Sequence, residues 1–292
     1  MTERGRVLIL GANGMLGHAL MDVFARGHEV AGVDLPELDI TDEDSTRVCV
    51  AAERPRLVVN AAARTDVDGC ESDPAGAFAV NAGGAGNVAR ACAAAGARLV
   101  HVSTDYVFDG VKGRPYVEGD RTNPQSVYGK SKLAGEESVR ASHDDHLIVR
   151  TSWLFGAHGR NFVDTILRAA SARKDLDVVG DQRGCPTYAP DLAEAIERLA
   201  GTEHRGVVHV ANSGICSWFE YARAILELSG ARGVAVREIS SDGLDRPAPR
   251  PPFSALDCGR YASLAGAPMR HWRDAVGEYI RGKSLSLGAR AH

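Results

Sequence analysis

Short runs of consecutive apolar residues recur through the first half of the chain. They are Arg6–Leu10 (Arg-Val-Leu-Ile-Leu), Glu29–Val33, Leu57–Asn60, Arg98–Val102 and His146–Arg150. Little polar alternation breaks them, the pattern of strands covered on both faces. Between them lie stretches with helical patterning: Met15–Arg26, Asp42–Glu53 with Thr41 as the expected N-cap, an Ala-rich span Pro74–Ala95, and a helix opening near Pro124–Gln125. Strands alternating with helices predict a parallel sheet, and right-handed crossovers make it a doubly wound, Rossmann-like α/β fold.

The second half is less regular. Asn161–Arg173 has helical spacing and Gly206–Ala211 reads as one more core strand. Trp218–Ser229 is a predicted helix opened by Ser217, with Glu220 three residues on completing a capping box. Arg246–Pro252 (Arg-Pro-Ala-Pro-Arg-Pro-Pro) must run extended, since each proline fixes φ and removes a donor. His271–Arg281 is the last predicted helix, and residues 283–292 are expected to be a flexible tail. No repeat, low-complexity tract or linker composition interrupts the chain.

Composition then narrows the classes. The chain has 292 residues and a formal charge of −4, which leaves no footprint for nucleic acid. No apolar run approaches a membrane span. The opening Met1–Arg6 shows no signal-peptide pattern, and the six scattered cysteines form no C-x-x-C pair. They read as reduced thiols in a cytoplasmic protein. The ten histidines suggest no metal cluster, and no metal is expected.

Gly11-Ala-Asn13-Gly14-Met15-Leu16-Gly17 follows a strand and opens a helix, the setting that gives a glycine fingerprint meaning. Gly11 permits the tight turn, Gly14 lets a pyrophosphate approach backbone at the helix N-terminus, and Gly17 lets the helix pack closely. Asp34, after the second strand, is placed to hold ribose hydroxyls and to repel a 2′-phosphate, which favours NADH over NADPH. Asp39 and Ile40 are expected near the adenine. Ala61, Ala62 and Ala63 leave room for a cofactor at the end of the third strand. Residues 1–152 with roughly 185–212 thus read as a dinucleotide-binding domain, and roughly 153–184 with 213–282 as a smaller α/β substrate lobe.

At the chemical end, Tyr128 and Lys132 stand one helical turn apart. A phenol of pKa about 10 beside an ammonium is expected to be lowered toward neutrality and to trade a proton. Thr104 ends the fourth strand and offers a hydroxyl to a substrate oxygen. Ser103 is the competing hydroxyl but must face the opposite side.

The glycine run, Asn60-Ala-Ala-Ala, Ser103-Thr-Asp-Tyr-Val-Phe-Asp-Gly and Tyr128-Gly-Lys-Ser-Lys132-Leu-Ala-Gly-Glu resemble the extended short-chain dehydrogenase/reductases. Arg150-Thr-Ser-Trp153-Leu-Phe, Asn161-Phe162, Gly180-Asp-Gln-Arg-Gly-Cys-Pro-Thr187 and Arg250-Pro-Pro-Phe-Ser254-Ala-Leu-Asp257 narrow the likeness to the dTDP-4-dehydrorhamnose reductases. The resemblance implies reduction of the C4 ketone of a dTDP-4-keto-6-deoxysugar by NADPH or NADH. It assigns Thr104, Tyr128 and Lys132 to catalysis, with Tyr128 as general acid and Lys132 on the nicotinamide ribose. It assigns Val67, Thr104, Asp105, Tyr106 and Trp153 to the sugar pocket and Arg250 to the nucleotide end.

Two positions depart from the pattern. Arg64 stands where an aromatic or His is expected, which leaves the preferred sugar open. Met15 and Pro190 replace the acidic residues through which some members form a metal-bridged dimer, so a monomer or weak homodimer is expected. The rival readings are an epimerase or dehydratase of nucleotide sugars, disfavoured by the single carboxylate in Thr104-Asp105-Tyr106, and a non-catalytic dinucleotide-binding regulatory subunit.

Overall fold

The computed structural model describes residues 5–172 and 175–289. A six-stranded sheet is built from β1 (Arg6–Leu10), β2 (Glu29–Val33), β3 (Leu57–Asn60), β4 (Arg98–Thr104), β5 (His146–Thr151) and β6 (Gly206–His209). Their order is β6-β5-β4-β3-β1-β2, and every pairing is parallel. The register sets Leu10 beside both Val33 and Asn60. The chain leaves β1 toward β2 and then crosses back to β3 on the other side. Such a switch point opens a crevice beyond the carboxyl ends of the strands.

Helices α1 (Met15–Phe24), α2 (Glu43–Glu53), α3 (Ala85–Ala95), α4 (Val127–Ser142) and α5 (Ala189–Ala200) cover the two faces. Successive strand residues point to opposite sides. Val7, Ile9 and Val59 therefore pack with Leu20 and Phe24 of α1 and Leu192 and Ile196 of α5. Leu8, Leu10 and Leu99 pack with Val50 of α2, Val88 of α3 and Val139 of α4.

Several local expectations change. The cap of α2 is Asp42, whose carboxylate accepts from the Ser45 N–H at 2.9 Å. The Thr41 hydroxyl instead donates to Asp39, 2.8 Å away. The predicted single helix Pro74–Ala95 is broken by a wide π turn over Ala79–Gly84. Within it the Asn81 amide holds both the N–H and the carbonyl of Arg64 and donates to Ser131 of α4. A Cβ at Gly135 of α4 would collide with the Asn81 carbonyl oxygen, so α4 lies against this turn only because residue 135 is glycine. The helix Val67–Ser72, the strands Asp175–Val179 and Ala235–Ile239, and α5 were not anticipated from the pattern.

A second core lies beside the sheet. Helices Phe162–Ala172, α6 (Trp218–Ser229) and α7 (Trp272–Ala289) enclose Phe155, Val163, Tyr221, Ile225 and Val276. Asp175–Val179 and Ala235–Ile239 pair in parallel against them. The capping box of Ser217 and Glu220 forms as predicted. Where a tail was expected from 283, α7 continues to Ala289, helped by a 2.5 Å ion pair from Lys283 to Asp164. Residues 290–292 of that expected tail lie outside the described residues. No helix among the described residues is long and apolar enough to cross a membrane.

Candidate active site

A cleft of about 670 Å³ opens at the carboxyl end of the sheet, between the glycine turn, β4, the start of α4 and the aromatic wall of the second core. Gly11 has φ +80°, and a Cβ there would sit 2.6 Å from the Ala62 backbone nitrogen. A Cβ at Gly17 would overlap the carbonyl oxygen of Gly11. Both glycines are thus required for the turn and helix to close on β3. Helix α1 starts at Met15 with Gly14 as N-cap and no capping side chain. Its first N–H groups lack intrahelical acceptors and carry the positive end of the helix dipole. A pyrophosphate fits that mouth, which no side chain caps.

Asn13, Gly14, Met15, Leu16, Gly17, Ala61 and Ala63 line the cleft. Gly11 and Ala62 shape it from behind. Asp34 lies at its edge, with one carboxylate oxygen accepting from the Asn13 N–H at 2.9 Å and the other from the Leu35 N–H at 2.8 Å. Asp39 turns its carboxylate to Thr41. The Ile40 side chain is buried in the core beneath α3 rather than open to the cleft. The Met15 side chain packs on Gly156 and Gly159, and Pro190 lies in the first turn of α5. Among the described residues no group of three His, Cys, Asp or Glu could hold a metal.

At the back of the cleft Ser126 caps α4, accepting from the Gly129 N–H at 3.1 Å, and so fixes where Tyr128 and Lys132 project. Tyr128 and Thr104 line the same cleft. Dense protein around the Tyr128 hydroxyl pushes the phenol pKa up, only partly countered by the nearby Thr104 hydroxyl. The neighbouring Lys132 ammonium was expected to lower it. Instead Lys132 is buried, its ammonium donates to the Val102 carbonyl at 2.7 Å, and burial brings it down to about 8 against the pull of Glu136. The correction is one of geometry. Residues one turn apart share a helix face, but the lysine stem reaches past the phenol to the backbone of β4.

Ser103 and Thr104 separate as strand alternation requires. Ser103 donates to Glu136 at 2.7 Å on the α4 side, while Thr104 faces the cleft. Asp105 is 1% exposed and accepts from the Thr104 hydroxyl at 3.1 Å. Burial raises its carboxyl to about 6.

Val67, Tyr106 and Trp153 line the opposite wall. The Tyr106 ring meets Tyr128 edge to face at 5.5 Å. Trp153 has φ +46°, an uncommon backbone state for a bulky residue, and lies flat on Trp218 with centroids 3.5 Å apart. Gly184 makes room for the edge of the Trp153 indole. Sequence reasoning missed Trp218 because only tertiary packing brings α6 to the cleft. It also missed Thr65, His158 and Arg160, which line the cleft without any motif. Arg64 is turned away, ion-paired to Asp73 at 2.5 Å. Arg250 does not stand free for a phosphate. Its guanidinium grips Asp68 with two 2.6 Å bonds, strapping the proline loop to helix Val67–Ser72.

A family model described as the RmlD substrate binding domain matches residues 5–284. A dTDP-4-dehydrorhamnose reductase of Mycobacterium tuberculosis is 48% identical over 282 residues, 93% of this chain and 91% of the relative. A dTDP-4-keto-6-deoxy-D-glucose reductase of Streptomyces niveus is 40% identical over 278 residues, 94% and 96% of the two chains. The crystal structure of dTDP-4-dehydrorhamnose reductase from Bacillus anthracis in complex with NADP superposes with a TM-score of 0.92 at 38% identity, covering 96% of this chain and 99% of that one. Motifs, fold and near full-length likeness agree: the chain belongs to the dTDP-4-dehydrorhamnose reductase family of extended short-chain dehydrogenase/reductases.

Proposed function

We propose that the protein reduces the C4 ketone of dTDP-4-dehydro-L-rhamnose to give dTDP-L-rhamnose, with Tyr128 as general acid. The observation that carries this reading is the gathering of Thr104, Tyr128 and Lys132 in one cleft with the uncapped start of helix α1. A reduced nicotinamide dinucleotide, NADPH or NADH, supplies the hydride when bound. Asn13 to Gly17 and Ala61 to Ala63 hold it, and Lys132 keeps two ammonium hydrogens for ribose hydroxyls beyond the one given to Val102. Thr104 hydrogen-bonds the ketone oxygen and Tyr128 protonates it as negative charge develops there. A phenol pushed upward stays protonated at neutral pH, the state a proton donor needs. Trp153, backed by Trp218, offers a flat apolar face to the deoxysugar. The enzyme works in the cytoplasm as a monomer or weak homodimer.

The Streptomyces niveus relative supports a second reading, a different dTDP-4-keto-6-deoxysugar on the same chemistry. A panel of such ketones with each cofactor separates the two, read by loss of reduced-nicotinamide absorbance and product stereochemistry. Tyr128→Phe should retain cofactor binding and lose roughly 10²–10⁴-fold in turnover. Turnover close to that of the unaltered protein would remove Tyr128 from the role.

A further inference from the structure

With its oxygen held at the back of the cleft by Thr104 and Tyr128, a sugar ketone can still turn over about its own C=O axis. The turn exchanges the two faces of the carbonyl carbon, and hydride added to one face or the other gives C4 epimers of the same composition. Only a contact away from that axis fixes the choice, and the flat Trp153 indole is placed to make it. That indole is gripped on two sides. The Gly184 backbone lies against its edge, where a Cβ would come within 2.5 Å of the ring. Trp218 covers one face, with centroids 3.5 Å apart and planes 8° from parallel. The Trp153 backbone, at φ +46°, is tied down by its carbonyl, which accepts from the Thr187 N–H at 3.2 Å. Trp218 is itself fixed. It is the first residue of α6 behind the Ser217–Glu220 capping box, Cys216 just before it pairs with Gly184, and the Phe162 ring packs on it at 4.6 Å.

We propose that Trp218 is a positioning residue that sets the stereochemical outcome: by holding the Trp153 indole rigid, it fixes which face of the ketone receives hydride. The proposal rests on the reductase reading. Two large rings with only two side-chain torsions each make a wall that loses little freedom on packing. Without a ring behind it, the Trp153 side chain can leave its present rotamer. The wall then recedes and the sugar gains room to turn over. Face selection is a difference between two transition states that share all their reacting atoms, so a loose wall lowers selectivity before it lowers turnover. Trp218 acts through Trp153 and need not touch the reacting atoms.

Trp218→Leu removes the ring behind Trp153, and Trp218→Phe keeps one. Each variant is given NADPH and dTDP-4-dehydro-L-rhamnose, and the C4 epimers of the product are measured by NMR. Trp218→Leu should raise the minor epimer roughly tenfold over the unaltered protein, which is about 1.4 kcal/mol between the two transition states. Its KM for the sugar nucleotide should rise more than its kcat falls. Trp218→Phe should return the product ratio close to that of the unaltered protein. Lost turnover in Trp218→Leu with the epimer ratio unchanged would mean a structural role and overturn the proposal. So would full activity with the ratio unchanged, which would leave the choice of face to the nucleotide end. A second readout needs no substitution at Trp218. Fluorine NMR of the unaltered protein, carrying 5-fluorotryptophan at its three tryptophans, reads the stack directly. The Trp153 and Trp218 lines should be displaced by each other's ring currents and stay displaced when product and NADP⁺ are bound. Lines that return to unstacked positions on binding overturn the proposal, even where Trp218→Leu does not fold. If the unaltered protein reduces none of the ketones, the reductase reading falls and this role with it, whereas an unchanged epimer ratio from an active Trp218→Leu overturns this role alone.

Discussion

Burial acts on three side chains of this cleft, and its sign follows the charge each would carry. It favours the neutral phenol of Tyr128, the neutral acid of Asp105 and the neutral amine of Lys132. For Asp105 the shift has a consequence for stability. Its folded pKa of about 6 lies about two units above an unperturbed aspartate, equivalent to about 3 kcal/mol. A raised acid binds its proton more tightly when folded. The penalty is therefore absent below the unfolded pKa and grows through the window between about pH 4 and pH 6, where the folded state holds more protons. Asp105→Asn should be more stable than the unaltered protein near pH 8, by up to about 3 kcal/mol, with the gain vanishing near pH 4. Urea unfolding at the two pH values checks this, and an equal effect at both would mean that the carboxyl is not strained by burial.

Element by element, the glycine turn and the first five strands were legible because they rest on local physics. An unbroken apolar run admits a doubly covered strand, and only glycine fits where Gly11 and Gly17 meet backbone. Helix α4 was legible too, with the shared face of Tyr128 and Lys132, although it starts at Val127 after the Ser126 cap rather than near Pro124–Gln125. What that face touches was not, since the Val102 carbonyl and the π turn at Asn81 come from distant segments. The strands Asp175–Val179 and Ala235–Ile239 escaped notice because each is only five residues long and its partner lies sixty residues away. Arg250 was assigned to the nucleotide end from the family resemblance, and Asp68, which binds it, lies on a short helix with no local signature. Helix α4 is held by a buried charge. Glu136, fully buried, takes two bonds from Arg150 of β5 at 2.8 and 2.7 Å and one each from Ser103 and Arg140. Burial pushes its carboxyl up, but these partners outweigh it and hold the group below the usual range. Glu136→Gln leaves the Arg150 guanidinium buried without a counter-charge and should cost roughly 3–5 kcal/mol. With α4 loosened one turn beyond Lys132, turnover should fall as well. A variant of unchanged denaturation midpoint would show that Arg150 finds its compensation elsewhere.

Across the whole molecule the cleft draws its walls from two cores: the glycine turn, β3 and β4 from the sheet, Trp153 and Trp218 from the aromatic cluster beside it. A ligand spanning the cleft is linked to the folding of the sheet through α1, whose first turn is its docking point. Ligand at about 100 times its Kd stabilises the folded state by about 2.7 kcal/mol, roughly 4–5 °C for a chain of this size. NADP⁺ should therefore raise the melting temperature by that order, and comparison with NAD⁺ at equal concentration ranks the two without any sugar present. Gly17→Ala tests whether the stabilisation runs through the glycine turn. The added methyl must push α1 off the Gly11 carbonyl, where the native approach leaves no space for a Cβ. The variant should melt below the unaltered protein and lose most of the NADP⁺ shift, because the helix mouth and the turn no longer present their N–H groups together. A variant that melts lower yet keeps the full shift would mean that the dinucleotide is held mainly from β3 and Lys132 rather than from the glycine turn.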